Sequence, residues 1–157
     1  MFPLIRGLTY ATLFISFVLV FLPGQVLVRS GVTAPPEVGP AQVLGAAVVI
    51  LGLSLAISCV LAFGIVGKGT PAPFDPPRRL VIRGPYRFVR NPMYVGAIVG
   101  LLGASLFYQS LALLGFTAVF ALVVHLFVLF YEEPTLARLF GADYDTYRRH
   151  VRRWRPI

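Results

Sequence analysis

The sequence predicts an all-α integral membrane protein: a bundle of four transmembrane helices with a polar cytoplasmic loop and a C-terminal amphipathic helix. Composition is the first indication, because 57% of the residues are hydrophobic, 13% are charged and the mean hydropathy is +0.81. A soluble domain carries about 25% charged residues, so this chain has too few to cover a surface in water. The other indications are three long uncharged blocks and a clustering of the basic residues.

The three uncharged blocks cover residues 8–28, 41–66 and 95–130. Each is long enough to cross a bilayer, which takes about 20 apolar residues. The third is too long for one crossing, since a helix rises about 1.5 Å per residue and the hydrocarbon core is about 30 Å thick. We therefore predict a tight turn near Tyr108, Gln109 and Ser110. The four predicted spans are about residues 8–28, 41–66, 93–108 and 111–131.

The basic residues are unevenly distributed among the connecting segments. Six Lys or Arg lie within residues 68–90 and six within 138–155, whereas only Arg29 lies between the first two spans. By the positive-inside rule, the N-terminus, the loop 67–92 and the segment 132–157 are cytoplasmic. We treat residues 1–157 as one membrane-embedded domain, and its short loops would suit a bacterial inner membrane.

Several other functions fit the composition less well. The first block could be a cleaved signal peptide, but it is long for one and no clear small-residue cleavage site follows it. The net charge of +8 does not require nucleic acid, because a basic juxtamembrane surface is attracted to anionic lipid. Cys59 is the single cysteine and lies in the second span, so we expect a packing role and no intrachain disulfide. No metal site is predicted.

The loop before the third span is the most polar and turn-rich part of the chain. Residues 67–77 contain four prolines and two glycines and should be extended. Asn91 and Pro92 then predict a helix start, with Asn91 as the cap and Pro92 in the first turn. Free N–H groups at a helix start beside arginines suit an anionic group. The alternative is that the arginines only obey the positive-inside rule.

Two adjacent acids, Glu132 and Glu133, follow the fourth span at the membrane boundary. Carboxylates there are costly unless they are paired or hydrated. His125 precedes Glu132 by about two helical turns, so both should point to much the same face. An intramembrane histidine is a candidate functional residue, although a packing histidine bonded to a neighbouring helix is the equal alternative.

The C-terminal segment reads as two short amphipathic helices. Gly141 should end the first, and Asp143 could cap the second. In the second, aromatic and apolar residues form one stripe at helical spacing, with the arginines largely off it. This pattern is typical of a helix that lies in the membrane interface. The stripe consists of Tyr144, Tyr147, Val151 and Trp154.

Two stretches together resemble a known family. They are RLVIRGPYRFVRNPMYVG at residues 79–96 and EEPTLARLFGADYDTY at residues 132–147. The chain resembles the isoprenylcysteine carboxyl methyltransferases and the related phospholipid N-methyltransferases, which are integral membrane enzymes that use S-adenosylmethionine. The likeness covers about residues 78–155. Its matching positions are Leu80, Val81, Gly84, Tyr86, Arg90, Asn91, Pro92, Met93, Tyr94, Glu132, Glu133, Phe140, Gly141, Tyr144 and Tyr147.

The resemblance implies a function and a site. It implies methyl transfer from S-adenosylmethionine to a hydrophobic or lipid-like acceptor at the cytoplasmic membrane face, with the loop 67–92 enclosing the cofactor. Catalytic residues would be Glu132 and Glu133, and substrate would contact Glu132 and His125. The residues that the resemblance implies for cofactor binding are Arg78, Arg79, Leu80, Val81, Tyr86, Asn91, Pro92, Met93 and Tyr94.

Two positions depart from the prenylcysteine enzymes. Asn91 stands where those enzymes have histidine, and Asn91 cannot become cationic or act as a base. Val128 stands four residues before Glu132, where those enzymes have an arginine suited to a carboxylate substrate. Arginines of the C-terminal segment could replace that clamp. A carboxylate acceptor would need no base, whereas an amine must lose a proton, which Glu132 could accept with His125 behind it.

The sequence leaves the acceptor open. A lipid headgroup, a prenylated thiol acid and a smaller hydrophobic molecule all fit, so O-, N- and S-methylation are each possible. Two other functions stay as alternatives: an NADPH-dependent sterol-type reductase, whose C-terminal half is similar, and a non-catalytic membrane subunit of the same fold. Oligomeric state does not follow from the sequence.

Overall fold

The computed structural model describes residue 13 and residues 15–32, 37–62 and 80–156. Regular structure in these segments is helical, apart from one isolated β-bridge, so the all-α prediction is confirmed for them. A π-helical turn, Phe17–Phe21, precedes α1, and a second, Val128–Glu132, joins α4 and α5 into one continuous helix. The α-helices are α1 (Leu22–Arg29), α2 (Pro40–Ala62), α3 (Pro92–Phe107), α4 (Leu111–Phe127) and α5 (Glu133–His150).

Two of these helices are long and apolar enough to cross a membrane. They are α2 and the continuous helix Leu111–His150, each with a mean hydropathy of 2.6 in its most apolar stretch. Phe17–Arg29 and Pro92–Phe107 are apolar but shorter. The bounds of α3 and α4 agree with the third and fourth predicted spans. The predicted start of the first span at residue 8 and the predicted end of the second at residue 66 lie outside the described residues. The number of crossings therefore stays a prediction.

Helices α2 and α3 approach each other until their backbones touch. A β-carbon added to Gly52 would lie 2.5 Å from the Gly100 nitrogen, and one added to Gly103 would lie 2.6 Å from a backbone nitrogen of α2. Only glycine permits this spacing, and close packing of small residues is a main source of helix association in lipid. Gln42 Nε2 also donates a hydrogen bond across the pair to the Phe107 carbonyl oxygen at 3.1 Å.

The tight turn between α3 and α4 lies where the sequence predicts it. Gln109 has a φ of 49°, and the Ser110 hydroxyl accepts a hydrogen bond from the Leu113 amide at 3.2 Å. Ser110 therefore caps α4. At the other end of α3 the helix begins at Pro92 as predicted, but Asn91 makes no side-chain hydrogen bond to the helix amides. The predicted capping role of Asn91 is wrong, because its side chain is bonded elsewhere.

The acidic pair lies where α4 passes into α5. The π turn Val128–Glu132 ends at Glu132, and Glu133 begins α5. A π turn accommodates an extra residue within a helix and is frequent at functional sites. Further along, Gly141 has a φ of 49° and a ψ of −123°, which interrupts α5. The predicted break at Gly141 is confirmed, since glycine adopts positive φ readily.

The C-terminal helix ends earlier than the aromatic stripe predicts. α5 stops at His150, and Val151 is extended, with a φ of −122° and a ψ of 127°. Arg152 forms a parallel β-bridge with Val89, and the Arg90 amide donates to the Arg152 carbonyl oxygen at 2.9 Å. The expectation that Val151 and Trp154 continue the helical stripe is therefore wrong. Backbone pairing with the loop replaces the last helical turn.

Candidate active site

Glu133 is neutralised by two arginines. Arg153 binds it through two hydrogen bonds, Nε to Oε1 at 2.7 Å and Nη2 to Oε2 at 2.8 Å. Arg90 Nη1 lies 3.0 Å from the same Oε1. Burial alone would raise the pKa of the Glu133 carboxyl, but the Arg153 hydrogen bonds and the charges of Arg90, Arg153 and Arg148 hold this pKa below its ordinary value. Glu133 is therefore ionised and held in place at physiological pH.

This ion pair should make thermal stability depend on pH in the acid range. The folded-state pKa of Glu133 lies below the ordinary 4.5, so the pair stabilises the fold above that pH and loses its effect as pH falls through the folded value. We expect the gap in unfolding midpoint between wild type and Glu133→Gln to be widest at pH 7 and to narrow towards pH 3. Thermal unfolding in detergent measures it, and a gap that did not change with pH would contradict the expectation.

Glu132 has a different environment from its neighbour. Its Oε2 accepts a hydrogen bond from the Tyr94 hydroxyl at 2.9 Å. Within the described segments, no Lys, Arg or His forms an ion pair with it. Tyr94 stands in the first turn of α3, so this contact joins the start of α3 to the end of the π turn. The two acids thus differ chemically: Glu133 has a fixed cationic partner, and Glu132 has a neutral one.

Arg90 and Asn91 connect the two acids, Glu132 and Glu133, to the loop and to the C-terminal residues. Arg90 Nη1 lies 3.5 Å from the Tyr144 hydroxyl, and Asn91 Nδ2 donates to the Arg153 carbonyl oxygen at 3.4 Å. Arg90 Nε is buried and has no hydrogen-bond partner among the described residues. An unsatisfied buried donor costs about 1–3 kcal/mol, so this atom is suited to an anionic ligand.

Three tyrosines of the 3₁₀ turn and α5 are buried or half-buried in this region. The Tyr147 hydroxyl donates to the Tyr86 carbonyl oxygen at 2.7 Å, which ties α5 to the 3₁₀ turn Gly84–Arg87. Tyr144 is only 2% exposed. Burial above all raises the pKa of the Tyr86, Tyr144 and Tyr147 phenols. These groups are therefore neutral near pH 7, where they can donate hydrogen bonds but hold no charge.

His125 lies apart from the acidic pair. Its Nδ1 is 3.0 Å from Trp154 Nε1, and the two ring centroids are 5.9 Å apart. An indole nitrogen can only donate, so His125 Nδ1 accepts and carries no proton. No hydrogen bond between His125 and Glu132 is found in the described part of the chain. The structure thus places His125 against the C-terminal segment, and its contact with substrate stays a prediction.

A cleft of about 750 Å³ opens between the loop and α5. Its size falls in the range of small-molecule sites. Of the residues that the resemblance implies for the cofactor, it contains Leu80, and it does not reach Glu132 or Glu133. The residues that line it are Leu80, Ile82, Arg87, Phe140, Asp143, Thr146, Tyr147, His150 and Val151.

The remaining residues implied for the cofactor fall into three places. Val81, Tyr86 and Met93 pack in an apolar cluster with Cys59 and Ala62 of α2, which supports the packing role expected for Cys59. Tyr94, Asn91 and Pro92 are at or beside the start of α3, within the network of the acids. Arg78 and Arg79 lie outside the described residues. Among the described residues, no group of three or more His, Cys, Asp or Glu could hold a metal ion.

Sequence reasoning missed the role of Arg153. The helical pattern predicts a basic surface of an interfacial helix for the five arginines between Arg148 and Arg155, and nothing local distinguishes Arg153 from its neighbours. The one available signal was the missing arginine at Val128, which raised the possibility of replacement from the C-terminal segment. That segment does supply an arginine to this region, and its partner in the structure is Glu133.

Comparison with known proteins decides the family. A sequence model described as "PEMT: Phospholipid methyltransferase" matches residues 40–143. The chain belongs to the phospholipid methyltransferase family. No curated protein and no solved structure matches it significantly. The match includes Tyr94, Glu132 and Glu133 and ends before Arg153.

Membership of the phospholipid methyltransferase family establishes the chemistry at a coarse level. The protein is a membrane methyltransferase that uses S-adenosylmethionine and acts on a lipid. Family membership decides against the two alternative functions, the NADPH reductase and the non-catalytic subunit. It gives no specific support to an isoprenylcysteine substrate. The described residues fit the cofactor, because its carboxylate suits the unpartnered Arg90 Nε. Its sulfonium charge suits the Glu132 carboxylate.

Proposed function

We propose that the protein methylates the amine of a phospholipid headgroup at the cytoplasmic membrane face, with Glu132 as the general base. The observation that carries this proposal is the contrast between the two acids. Glu133 is compensated by Arg90 and Arg153, whereas Glu132 bonds to the neutral Tyr94 and has no cationic partner among the described residues. An uncompensated carboxylate attracts an ammonium group and repels a carboxylate.

Val128 supports an amine acceptor over a carboxylate acceptor. It is fully buried, with no exposed surface, and lies one turn before Glu132. An arginine at this position could hold a carboxylate substrate, but valine offers no charge and no hydrogen bond. Arg153 and the Nη1 atom of Arg90 do not fill that role, because both bind Glu133, and Arg90 Nε is left for the cofactor carboxylate.

Proton removal is the step in which this chain's residues take part most directly. An ammonium group has no lone pair, so its nitrogen must lose a proton before it can attack carbon. Glu132 accepts that proton at Oε1 or Oε2, and the Tyr94 hydroxyl holds the carboxylate in position. When bound, S-adenosylmethionine supplies a methyl group activated by its sulfonium. The protein aligns the nitrogen with that methyl group and keeps water away.

Arg90, Asn91 and Tyr94 would hold the cofactor, together with Arg78 and Arg79 of the same loop. Arg90 Nε can donate to the cofactor carboxylate. The Asn91 amide is 7% exposed and can still form hydrogen bonds beyond the one to Arg153. His125 is left out of the acceptor site in this proposal, since its Nδ1 is engaged by Trp154.

Four membrane crossings, with both termini in the cytoplasm, complete the proposal. The apolar helices α2 and Leu111–His150 support two crossings by length. α3 has 16 residues, which span about 24 Å at 1.5 Å per residue. A slightly short helix crosses by local thinning of the bilayer at modest cost. The basic loop and C-terminal segment support the cytoplasmic orientation.

The acceptor is tested with cofactor that carries a labelled methyl group. The protein is reconstituted in phosphatidylcholine vesicles that contain either phosphatidylethanolamine or phosphatidylglycerol, which has the same phosphate but no amine. A farnesylated cysteine serves as the carboxylate acceptor. We expect label in phosphatidylethanolamine alone. Base-labile label in the farnesylated cysteine would overturn the amine acceptor, and binding of S-adenosylhomocysteine shows that each preparation is folded.

A further inference from the structure

Residues 151–155 follow α5 and dock across the site. We call them the tail segment. Its backbone pairs with the loop at Val89 and Arg90. The Arg153 carbonyl oxygen accepts from Asn91, and Trp154 Nε1 donates to His125 on α4. The tail segment is therefore bonded to the loop and to α4, and among the described residues its ionic contact is that of the half-buried Arg153 with Glu133.

Arg153 and Arg90 share one carboxylate. Arg153 binds both Glu133 oxygens, and Arg90 Nη1 binds Oε1. The Glu133 and Arg90 side chains are 15% and 13% exposed, so solvent screens this cluster weakly. The three formal charges sum to +1, because two arginines meet one glutamate. Removing Arg153 would reduce the sum to zero.

Glu132 is the residue immediately before Glu133, so it lies beside this cluster of charges. Two neighbouring carboxylates disfavour each other's ionisation, while nearby cations favour it. We propose that Arg153 is a positioning residue that assigns different roles to the two acids, holding Glu133 as a compensated structural anion so that Glu132 is ionised and free to accept the acceptor's proton. The proposal rests on Glu132 being the base, and it concerns a residue outside the part of the chain that matches the family.

Other titratable groups around Glu132 support this assignment. From α3 the Tyr94 hydroxyl donates to it, and from the 3₁₀ turn and α5 it faces the phenols of Tyr86 and Tyr144. Burial above all raises the pKa of the Glu132 carboxyl, the Tyr94 hydrogen bond lowers it, and the charge of Glu133 raises it. The tyrosines are neutral near pH 7. Among the neighbouring charges, that of Glu133 opposes the ionisation of Glu132, and Arg90 and Arg153 compensate it by binding Glu133.

A purely structural role of Arg153 has a separate readout. Trp154 is the single tryptophan of the chain, and it is half-buried against His125. Its fluorescence therefore reports whether the tail segment is docked. A variant that keeps the wild-type emission maximum while changing the pH dependence of kcat has lost charge compensation and has kept the fold.

The test compares the pH profile of kcat in Arg153→Gln, Arg153→Lys and the double variant Arg153→Gln, Glu133→Gln. In Arg153→Gln we expect the acid limb, which reports the pKa of the base in the bound enzyme, to move up by roughly one pH unit, a size typical of one nearby charge. In Arg153→Lys the positive charge is kept, so the acid limb should stay close to its wild-type position. In the double variant the acid limb should return to its wild-type position, because the local charge returns to +1.

Three results decide the matter. An unshifted acid limb in Arg153→Gln, with wild-type tryptophan emission, overturns the proposal. If Arg153→Gln does not fold, Glu133→Gln still tests it: the local charge becomes +2 and the acid limb should move down, and no movement would overturn it. Failure of the underlying function looks different, because Glu132→Gln would then retain activity whatever residue occupies position 153.

Discussion

Glu132→Gln is expected to lower kcat for methyl transfer by about 10²–10⁴-fold, the range typical of a lost general base. Glutamine keeps the size of the side chain and can still accept the Tyr94 hydrogen bond, but it cannot take up a proton. Initial rates with labelled cofactor and phosphatidylethanolamine vesicles measure the effect. The affinity for S-adenosylhomocysteine, which lacks the sulfonium charge, should change little.

Tyr94→Phe is the matched control for this experiment. It removes the partner of Glu132 and leaves the carboxylate, so we expect a smaller loss than in Glu132→Gln. A rate in Glu132→Gln within a few-fold of wild type would contradict the assignment of the base. An equal loss in both variants would instead show that the orientation of the carboxylate matters as much as its basicity.

Gly52→Ala is expected to destabilise the protein by about 1–3 kcal/mol, the usual effect of overpacking a close-packed contact. The added methyl carbon would lie 2.5 Å from the Gly100 nitrogen and 2.6 Å from the Gly96 carbonyl oxygen. Both are backbone atoms, so neither can move aside and the two helices must separate. Thermal unfolding in detergent, followed by tryptophan emission, measures the change.

Gly100→Ala is the matched control in the facing helix. A β-carbon there meets nothing within 4 Å, and alanine is favoured over glycine in a helix by about 0.5–1 kcal/mol. We therefore expect an unchanged or slightly raised unfolding midpoint. Equal destabilisation by the two substitutions would contradict the explanation from the close backbone contact at Gly52.

Local signals in the sequence predict most of the helical framework. Pro92 marks the start of α3, Ser110 the start of α4, and Gly141 the break in α5. Each is a residue whose backbone preference acts within one turn, so the sequence alone identifies it. The acidic pair was identifiable too, because two carboxylates beside an apolar span have few structural explanations.

Long-range pairing is what the sequence could not predict. Val151 and Trp154 continue a helical stripe perfectly well, and only the backbone partner at Val89 and Arg90 draws the chain into an extended form. Likewise, nothing near Arg153 indicates that it binds Glu133, twenty residues away. The different environments of the two acids depend on contacts with the start of α3 and with the tail segment.

Because of the π turn at Val128–Glu132, the parts of this continuous helix before and after the turn face different directions. Each residue of an α-helix advances by about 100°, so one residue accommodated in a widened turn rotates everything after it by roughly that angle. The exposed apolar side of α4 and the direction of the acids can therefore be set independently. We expect substitutions on the exposed apolar side of α4 to leave the direction of the Glu132 side chain unchanged, whereas deletion of one residue from the turn would rotate it away from Tyr94.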